Sequence, residues 1–543
     1  MKFWPDNQPK RVWVQTAEGI IDLEKKDYWQ GKDCHVWLTA GDNPMEMKVS
    51  VMAEKSELMR VFVAWDMDVP ASIRIMGDHW ERGYGDLEFR GIVPERVLPW
   101  YFVAVTDNGY HGAGVKTGCN AFCHWQLTRG GLVLCMDVRN GAMGVLLGGR
   151  VLEAATLVYV PATESETVFS YTRRLLKKLC SNPLMPNEPM YGGNNWYYAY
   201  GQSSATEIME DTRLVSSLAS NTSNRPWMFI DDGWQICHNA NFTGGPWHEG
   251  NYKFPDLPGL CNKMKAEGVK TGLWIRPLLN FCDFPTSWRL PQSRFLAREL
   301  GGEYKNFMDP SIPDVLEWIK TDIARIGSWG FNAIKHDYTT YDILGRWGFD
   351  MNGEMTNPGW HFADRTRTTM EIILDLYRAI REGAGSMLVL GCNTISHAAA
   401  GLCEVQRTGD DTSGREWERT RKMGVNTLAF RTAQHGLFYA ADADCVGVTP
   451  NIPWHLNKQW LDLVARSGTP LLVSIDPKTA TAEQKRDVAR AFDLASKEMQ
   501  IAEPLDWLYT SCPSEYKLNG EYARFNWTYQ ADGSQGTRTE SIS

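Results

Sequence analysis

Two adjacent carboxylates at the end of an apolar run, in the stretch WMFIDDGWQ (Trp227 to Gln235), are the first place where this chain could do chemistry. Trp227, Met228, Phe229 and Ile230 read as a buried strand, and Asp231, Asp232 and Gly233 mark its C-terminal end. Burying unpaired charge is costly, so two acids here point away from a core. An acid pair beside Trp234 suits a sugar: carboxylates accept from hydroxyls, and an aromatic face packs against C–H groups. Taken alone, the stretch also reads as a solvated turn.

Two further segments change that balance, Lys335-His336-Asp337 and Arg407-Thr408-Gly409-Asp410-Asp411. A pair of carboxylates facing each other across a sugar C–O bond is the minimum equipment of a glycosidase. One attacks or stabilises the anomeric carbon, and the other protonates the leaving oxygen. Asp337 and Asp411 fit those roles if their strands end on one rim. Lys335 lies two residues before Asp337, on the same side of its strand, and is expected to lower that acid's pKa. Asp411, with Asp410 beside it, is expected to be pushed towards the protonated form that an acid catalyst needs. A plain Lys335–Asp337 salt bridge is the structural alternative.

The elements that must position these groups are legible in the texture after Pro189. Candidate strands are Met190–Trp196, Pro226–Asp231, Val269–Arg276, Ala333–Asp337, Met387–Cys392, Glu404–Thr408, Gly436–Ala440 and Pro470–Ser474. Helix-like segments lie between them, including Ala205–Ala219, Leu257–Glu267, Ile312–Ile326 and Arg365–Gly383. Strands alternating with helices over roughly 300 residues predict an α/β fold, a (β/α)8 TIM barrel, whose function sits where the strands end. Nearly every predicted end is polar. They are Asn194-Asn195-Trp196, Asp231-Asp232-Gly233-Trp234, Arg276-Pro277, Lys335 to Tyr338, Cys392-Asn393, Arg407 to Asp411, Asp442 to Asp444 and Ser474 to Asp476.

Before the barrel, from about Lys10 to Phe169, short alternating runs are separated by turn signals such as Asn140-Gly141. That patterning predicts an N-terminal antiparallel β-sandwich domain over residues 1–180, followed by a proline-rich linker, Ser181 to Pro189. It carries no catalytic constellation and reads as a scaffold or accessory domain. The sandwich could also supply a loop to the active-site rim, but nothing in its sequence names the residue. The barrel is expected over residues 185–503, with a closing helix at Ala482–Ser496, and a short C-terminal β-rich tail over 504–543 whose last dozen residues fray.

Composition narrows the classes. The chain has 543 residues, of which 43% are hydrophobic and 22% charged, ordinary for a protein with a large core. A net charge of −9 and no basic arm argue against nucleic acid as a partner. No apolar run of about 18 residues exists, so no membrane span is expected. The start lacks the layout of a signal peptide, which predicts a cytoplasmic chain, although a secreted one trimmed of its signal would read the same. The 12 cysteines form neither a disulfide framework nor a zinc pattern; no metal and no cofactor is expected.

Taken together, the residues resemble the α-galactosidase clan of retaining glycoside hydrolases, families 27 and 36, and family 36 most. The matching pieces are Asn195-Trp196, Asp231 to Trp234, Gly272 to Ile275, Lys335 to Asp337, Arg407 to Asp411, Asp442 to Cys445 and Pro470 to Ser474. They follow the family's order and cover roughly residues 185 to 510. The resemblance implies that Asp337 is the nucleophile and Asp411 the acid/base, with Asp410 one residue of misalignment away. It implies that Asp231 and Asp232 bind the sugar's 4- and 6-hydroxyls, which favours galactose. Trp196 and Trp234 would line the pocket, and Lys335 and Arg407 would bind hydroxyls near the anomeric centre.

Three departures bear on specificity. Arg276 stands where the family more often has a neutral or acidic residue; it reads an anionic substituent or pairs with a neighbouring acid. Strand five gives Cys392-Asn393-Thr394, without the glycine-rich loop that handles the 2-substituent, so galactose versus N-acetylgalactosamine stays open. The C-terminal β-domain is much shortened, which leaves substrate length and assembly into a homo-oligomer open. The expectation is an exo-acting retaining α-galactosidase acting on a carbohydrate substrate. Its rivals are a related α-glycosidase, a raffinose-synthase-like transglycosylase and a non-catalytic sugar-binding barrel.

Overall fold

Burial alternates along the first strands: in Arg11–Thr16, Glu46–Ala53 and Leu58–Asp66 every second side chain or so is buried, as on a sheet with one face against a core. In the computed structural model, which describes residues 3, 6–163, 165–219, 222–238, 243–296 and 306–528, these strands belong to two antiparallel sheets of six and eight strands. The sheets pack face to face as a β-sandwich. Phe102 of one meets Trp125 of the other edge-on, with ring centroids 5.7 Å apart.

Several sandwich strands carry no alternation and escape a period-two reading. Tyr101–Thr106 begins with four consecutive buried residues, and Gly109–Val115 ends with four. The cause is a second covering layer. The helix Val168–Leu179 lies on the outer face of this sheet, and glycines let it approach closely. A Cβ at Gly112 would stand 2.8 Å from Leu175, and one at Gly114 2.7 Å from Leu179. Buried on both faces, the strands lose the polar positions that make alternation visible.

After the linker the chain forms a parallel barrel. Barrel strands 1 to 6 are Tyr191–Asn194, Trp227–Ile230, Lys270–Ile275, Ala333–His336, Leu388–Gly391 and Val405–Arg407. Strand 7 is split into Ala440–Asp442, which pairs with strand 6, and Cys445–Val448, which pairs with strand 8, Leu471–Ile475. Strand 8 pairs with strand 1 and so closes the ring. The prediction of strand 7 at Gly436–Ala440 is corrected: Gly436 sits in a turn at φ 75°, and the strand begins only at Ala440. Between the strands run the helices Ala205–Leu218, Leu257–Ala266, Pro313–Ser328, Thr369–Ala384 and Trp454–Ala465, and Ala482–Ala495 follows strand 8. Thr368 and Glu371 form a capping box at the start of Thr369–Ala384, which fixes where that helix begins.

The barrel lumen is a separate apolar cluster that includes Phe229, Ala333, Leu390, Val405, Ala440 and Leu472. Because side chains alternate along a strand, the residue two further on faces the same way. That rule converts each of these into a polar residue at the mouth: Asp231, Lys335, Cys392, Arg407, Asp442 and Ser474. Strand 3 contributes Gly272 to the lumen, where an added Cβ would lie 2.3 Å from the Phe229 ring. Beyond Ala495 a small three-stranded sheet, Glu503–Pro504, Glu515–Leu518 and Glu521–Arg524, forms the tail. It rests on the barrel through Trp417, whose Nε1 donates to the Trp527 carbonyl at 3.1 Å. The fraying expected at the end lies outside the described residues. Among the described residues no helix is long and apolar enough to cross a membrane.

Candidate active site

Strand 4 delivers Asp337 to the mouth, and three donors fix its carboxylate. The backbone N–H of Tyr338 (2.7 Å) and of Asn393 (3.2 Å) donate to Oδ1, and Trp274 Nε1 donates to Oδ2 at 3.2 Å. Tyr338 takes a left-handed conformation, φ 64°, which turns the chain sharply after the strand and aims its N–H back at the acid. Such donors stabilise the charged carboxylate and hold its orientation. Asp337 is partly exposed, and the surrounding polar groups are buried.

Lys335 is placed differently from expectation. Its ammonium pairs with Asp231 Oδ2 at 2.7 Å, so the direct partner is the acid of strand 2, and a plain Lys335–Asp337 bridge is not what the geometry gives. Asp231 also accepts from Asn194 Nδ2 (2.6 Å) and from the Asp232 N–H (2.9 Å). Its own N–H donates to Asn195 Oδ1 at 2.8 Å, which ties strand 2 to the end of strand 1. Asp232 accepts from Gln235 Nε2 at 2.6 Å and lies 3.3 Å from His238; burial raises its pKa, while His238 opposes the rise.

The other wall is built from strands 5 to 7. Arg407 is 1% exposed and donates to Cys392 Sγ (3.4 Å), the Gly409 carbonyl (3.2 Å) and Asp411 Oδ1 (3.2 Å), and pairs with Asp444 at 2.8 Å. Asp444, at the break in strand 7, also takes the Tyr197 hydroxyl and the Thr412 N–H. A short path therefore joins the two candidate catalytic acids: Asp337 to Asn393, its neighbour Cys392 to Arg407, and Arg407 to Asp411. Asn393 itself is buried and acts through its backbone, since its side chain is occupied by Glu81 and the Tyr341 N–H.

Asp411 departs from the expected protonation. Burial pushes its carboxyl up, but Arg407, then Arg82, Lys335 and Arg419 pull it down further, to about 2. The expectation that Asp411 is pushed towards its protonated form is thus corrected, because the cations outweigh burial. Between the two neighbouring acids, Asp410 is held by Arg82 (3.0 Å) and Arg419 (2.8 Å) and is 17% exposed, whereas Asp411 is 39% exposed. Asp411 is the more exposed of the two.

Two candidate residues stand outside this group. Trp234 is fully buried: its Nε1 donates to the Trp274 carbonyl at 2.9 Å, and its ring packs on Trp247 and Trp329. It supports strand 3 instead of lining a pocket, a correction caused by Gly233, whose φ of 122° turns the chain before Trp234. Arg276 is gripped by Asp342 through Nε and Nη2 (2.7 Å for the closest contact), reaches Thr243, and lies 4.0 Å over the Tyr338 ring. The geometry follows the second of its two readings, pairing with a neighbouring acid. Trp196 packs against the lumen cluster at the mouth, with its N–H on Asn194.

Two contributions were missed in the sequence. Trp274 has the inward parity of strand 3 and stands in register with Lys335, a signal that period-two counting would have exposed. The other is a sandwich segment, Asp78 to Leu87, for which no local pattern exists. Its Gly83 pairs with Gly409 as a parallel bridge, its Glu81 holds Asn393, and its Arg82 reaches Asp410 (3.0 Å) and Asp411 (3.5 Å).

No protein-family model and no curated protein matches this chain. Solved structures do match in fold. The α-galactosidase TtGalA from Thermus thermophilus, in complex with p-nitrophenyl α-D-galactopyranoside, aligns at TM-score 0.61 and 15% identity, over 95% of this chain and 99% of its own. The GH36 α-galactosidase AgaA from Geobacillus stearothermophilus aligns at 0.61 and 14%, over 89% and 75%. An α-galactosidase from Lactobacillus brevis aligns at 0.58 and 13%, over 89% and 72%. This chain has the fold of the solved GH36 α-galactosidases: a (β/α)8 barrel behind an N-terminal β-sandwich.

Proposed function

We propose that this protein is a glycoside hydrolase, an exo-acting retaining α-galactosidase that works by double displacement through Asp337 and Asp411. The observation that carries the reading is the oriented Asp337 carboxylate, held by three donors at the barrel mouth and joined through strand 5 to Arg407 and Asp411. In the first step an Asp337 oxygen bonds to the anomeric carbon as the glycosidic C–O bond breaks, and Asp411 gives its proton to the leaving oxygen. In the second, the ionised Asp411 takes a proton from water, whose oxygen bonds to the anomeric carbon and releases Asp337. Asp231 and Asp232 would accept from the 4- and 6-hydroxyls, and Lys335 and Arg407 would donate near the anomeric centre. The likeness to α-galactosidases crystallised with stachyose and raffinose supports a galactoside as substrate.

The test is hydrolysis of aryl α-glycosides carrying galactose, N-acetylgalactosamine, glucose or an anionic galactose, by the protein and by Asp337→Asn. Release from the α-galactoside by the parent, lost in the variant with the fold retained, is expected. Turnover that survives Asp337→Asn would sink the assignment. Release from another member alone would keep the mechanism and move the specificity to strands 3 and 5.

A further inference from the structure

The segment Asp78 to Leu87 is polar, yet it is largely buried against the barrel mouth. Its docking is specific. The Gly83 N–H donates to the Thr408 carbonyl at 2.8 Å, and the Asp410 N–H donates back to the Gly83 carbonyl at 2.9 Å, so the segment pairs with the chain just beyond the end of strand 6. Leu87 exchanges two hydrogen bonds with Asn426, and Asp78 pairs with Arg431 at 2.8 Å. Arg82 is thereby delivered between Asp410 and Asp411, with its side chain 4% exposed and its guanidinium 5.8 Å from the Trp347 ring. Its Nε–H has no partner among the described residues.

The groups around Asp411 come from several elements. Arg407 approaches from strand 6, Arg82 from the sandwich, Lys335 from strand 4 and Arg419 from the helix Trp417–Thr420. Asp410 is its acidic neighbour, and the Tyr197 and Tyr338 hydroxyls feel the charge of Asp411, although the Tyr197 hydroxyl donates to Asp444. Among the described residues Arg82 is the one cation that pairs with both acids, since Arg419 meets only Asp410 and Arg407 only Asp411.

We propose that Arg82 is a positioning residue for Asp411: by bridging Asp410 and Asp411 from the sandwich, it holds the Asp411 carboxyl in place at the barrel mouth and sets the pH at which the site can protonate a leaving group. The proposal rests on the reading of Asp411 as the acid/base. Its sign is fixed by electrostatics. A nearby cation favours the carboxylate, so the acid form is scarce at neutral pH and grows as pH falls. Removing Arg82 takes away that cation and leaves Asp410 less neutralised, and both changes favour the protonated acid.

Two measurements test this together. The first is the pH dependence of kcat/KM on 4-nitrophenyl α-galactoside for the parent, Arg82→Met and Arg82→Lys. The second is a 13C titration of aspartate carboxyls, with Asp411 assigned by Asp411→Asn, which needs no turnover. The parent's Asp411 is expected to stay ionised below the ordinary carboxylate range. The alkaline limb of Arg82→Met should move up by about one pH unit or more, while Arg82→Lys stays near the parent. A parent Asp411 that titrates in the ordinary range overturns the proposal, whether or not the variants fold. So does an Arg82→Met profile that falls equally at every pH with its limb unmoved. If the parent turns over no member of the glycoside panel, the proposed function fails while the carboxyl titration still decides the role of Arg82.

Discussion

The Trp274 indole gives Asp337 its only side-chain donor among the described residues, at 3.2 Å. A hydrogen bond to a charged group contributes about 1.5–3 kcal/mol, so Trp274→Phe should lower kcat/KM by roughly 10- to 100-fold, and because the indole is fully buried the smaller ring should lower the unfolding midpoint as well. Steady-state kinetics beside a thermal melt separates the two effects. The same residue shows what the sequence makes legible. Asp231, Lys335, Asp337, Arg407 and Asp411 stand out because a strand end exposes polar groups where the core pattern stops. In the sequence Trp234 reads as a pocket residue because it sits beside such an end, but inward parity holds only within a strand, and Gly233 turns the chain before Trp234. Arg82 gave no signal at all, since its contact with Cys392 spans 310 positions and no local pattern encodes that.

Among the elements, strands 2 and 3 meet through Phe229 and Gly272, where the aromatic ring fills the space a side chain would take. Gly272→Ala places a Cβ 2.3 Å from that ring. Overpacking a closed lumen should destabilise the protein by about 1–3 kcal/mol, and Phe229→Leu should restore part of the loss. Denaturant unfolding of the two single variants and the double variant measures the coupling; additive losses would place the strain elsewhere. The strand positions were readable to within a residue or two because lumen strands are continuous apolar runs bounded by turns. Strand 7 was not. Its two halves are short, Asp444 breaks it in a left-handed conformation, and the apolar run Leu437 to Ala440 just before it imitates a strand.

At the level of the whole molecule, the sandwich and the barrel share a polar seam. Arg139 and Arg60 both pair with Glu354, Arg150 pairs with Glu371, and Asn140 donates to the Asp364 and Arg367 carbonyls. Asp78 and Arg431, both almost fully buried, pair across this seam, and neither charge can stay in place if its partner's part lets go. Calorimetry should therefore give one cooperative transition; two resolved transitions would mean the seam does not couple the parts. The two-part organisation was readable from the change in texture at the linker, but the seam was not, because its partners are far apart in the chain. That distance sets a timetable for the nascent protein. Asp78 waits for a partner 353 residues downstream, which at ribosomal speeds of about 5–20 residues per second is on the order of tens of seconds. Through that interval the newborn sandwich carries Asp78, Glu81 and Arg82 without their barrel partners. Docking of this segment is therefore among the last events in the maturation of the catalytic rim, and a stalled or truncated chain would expose it to chaperones and proteases.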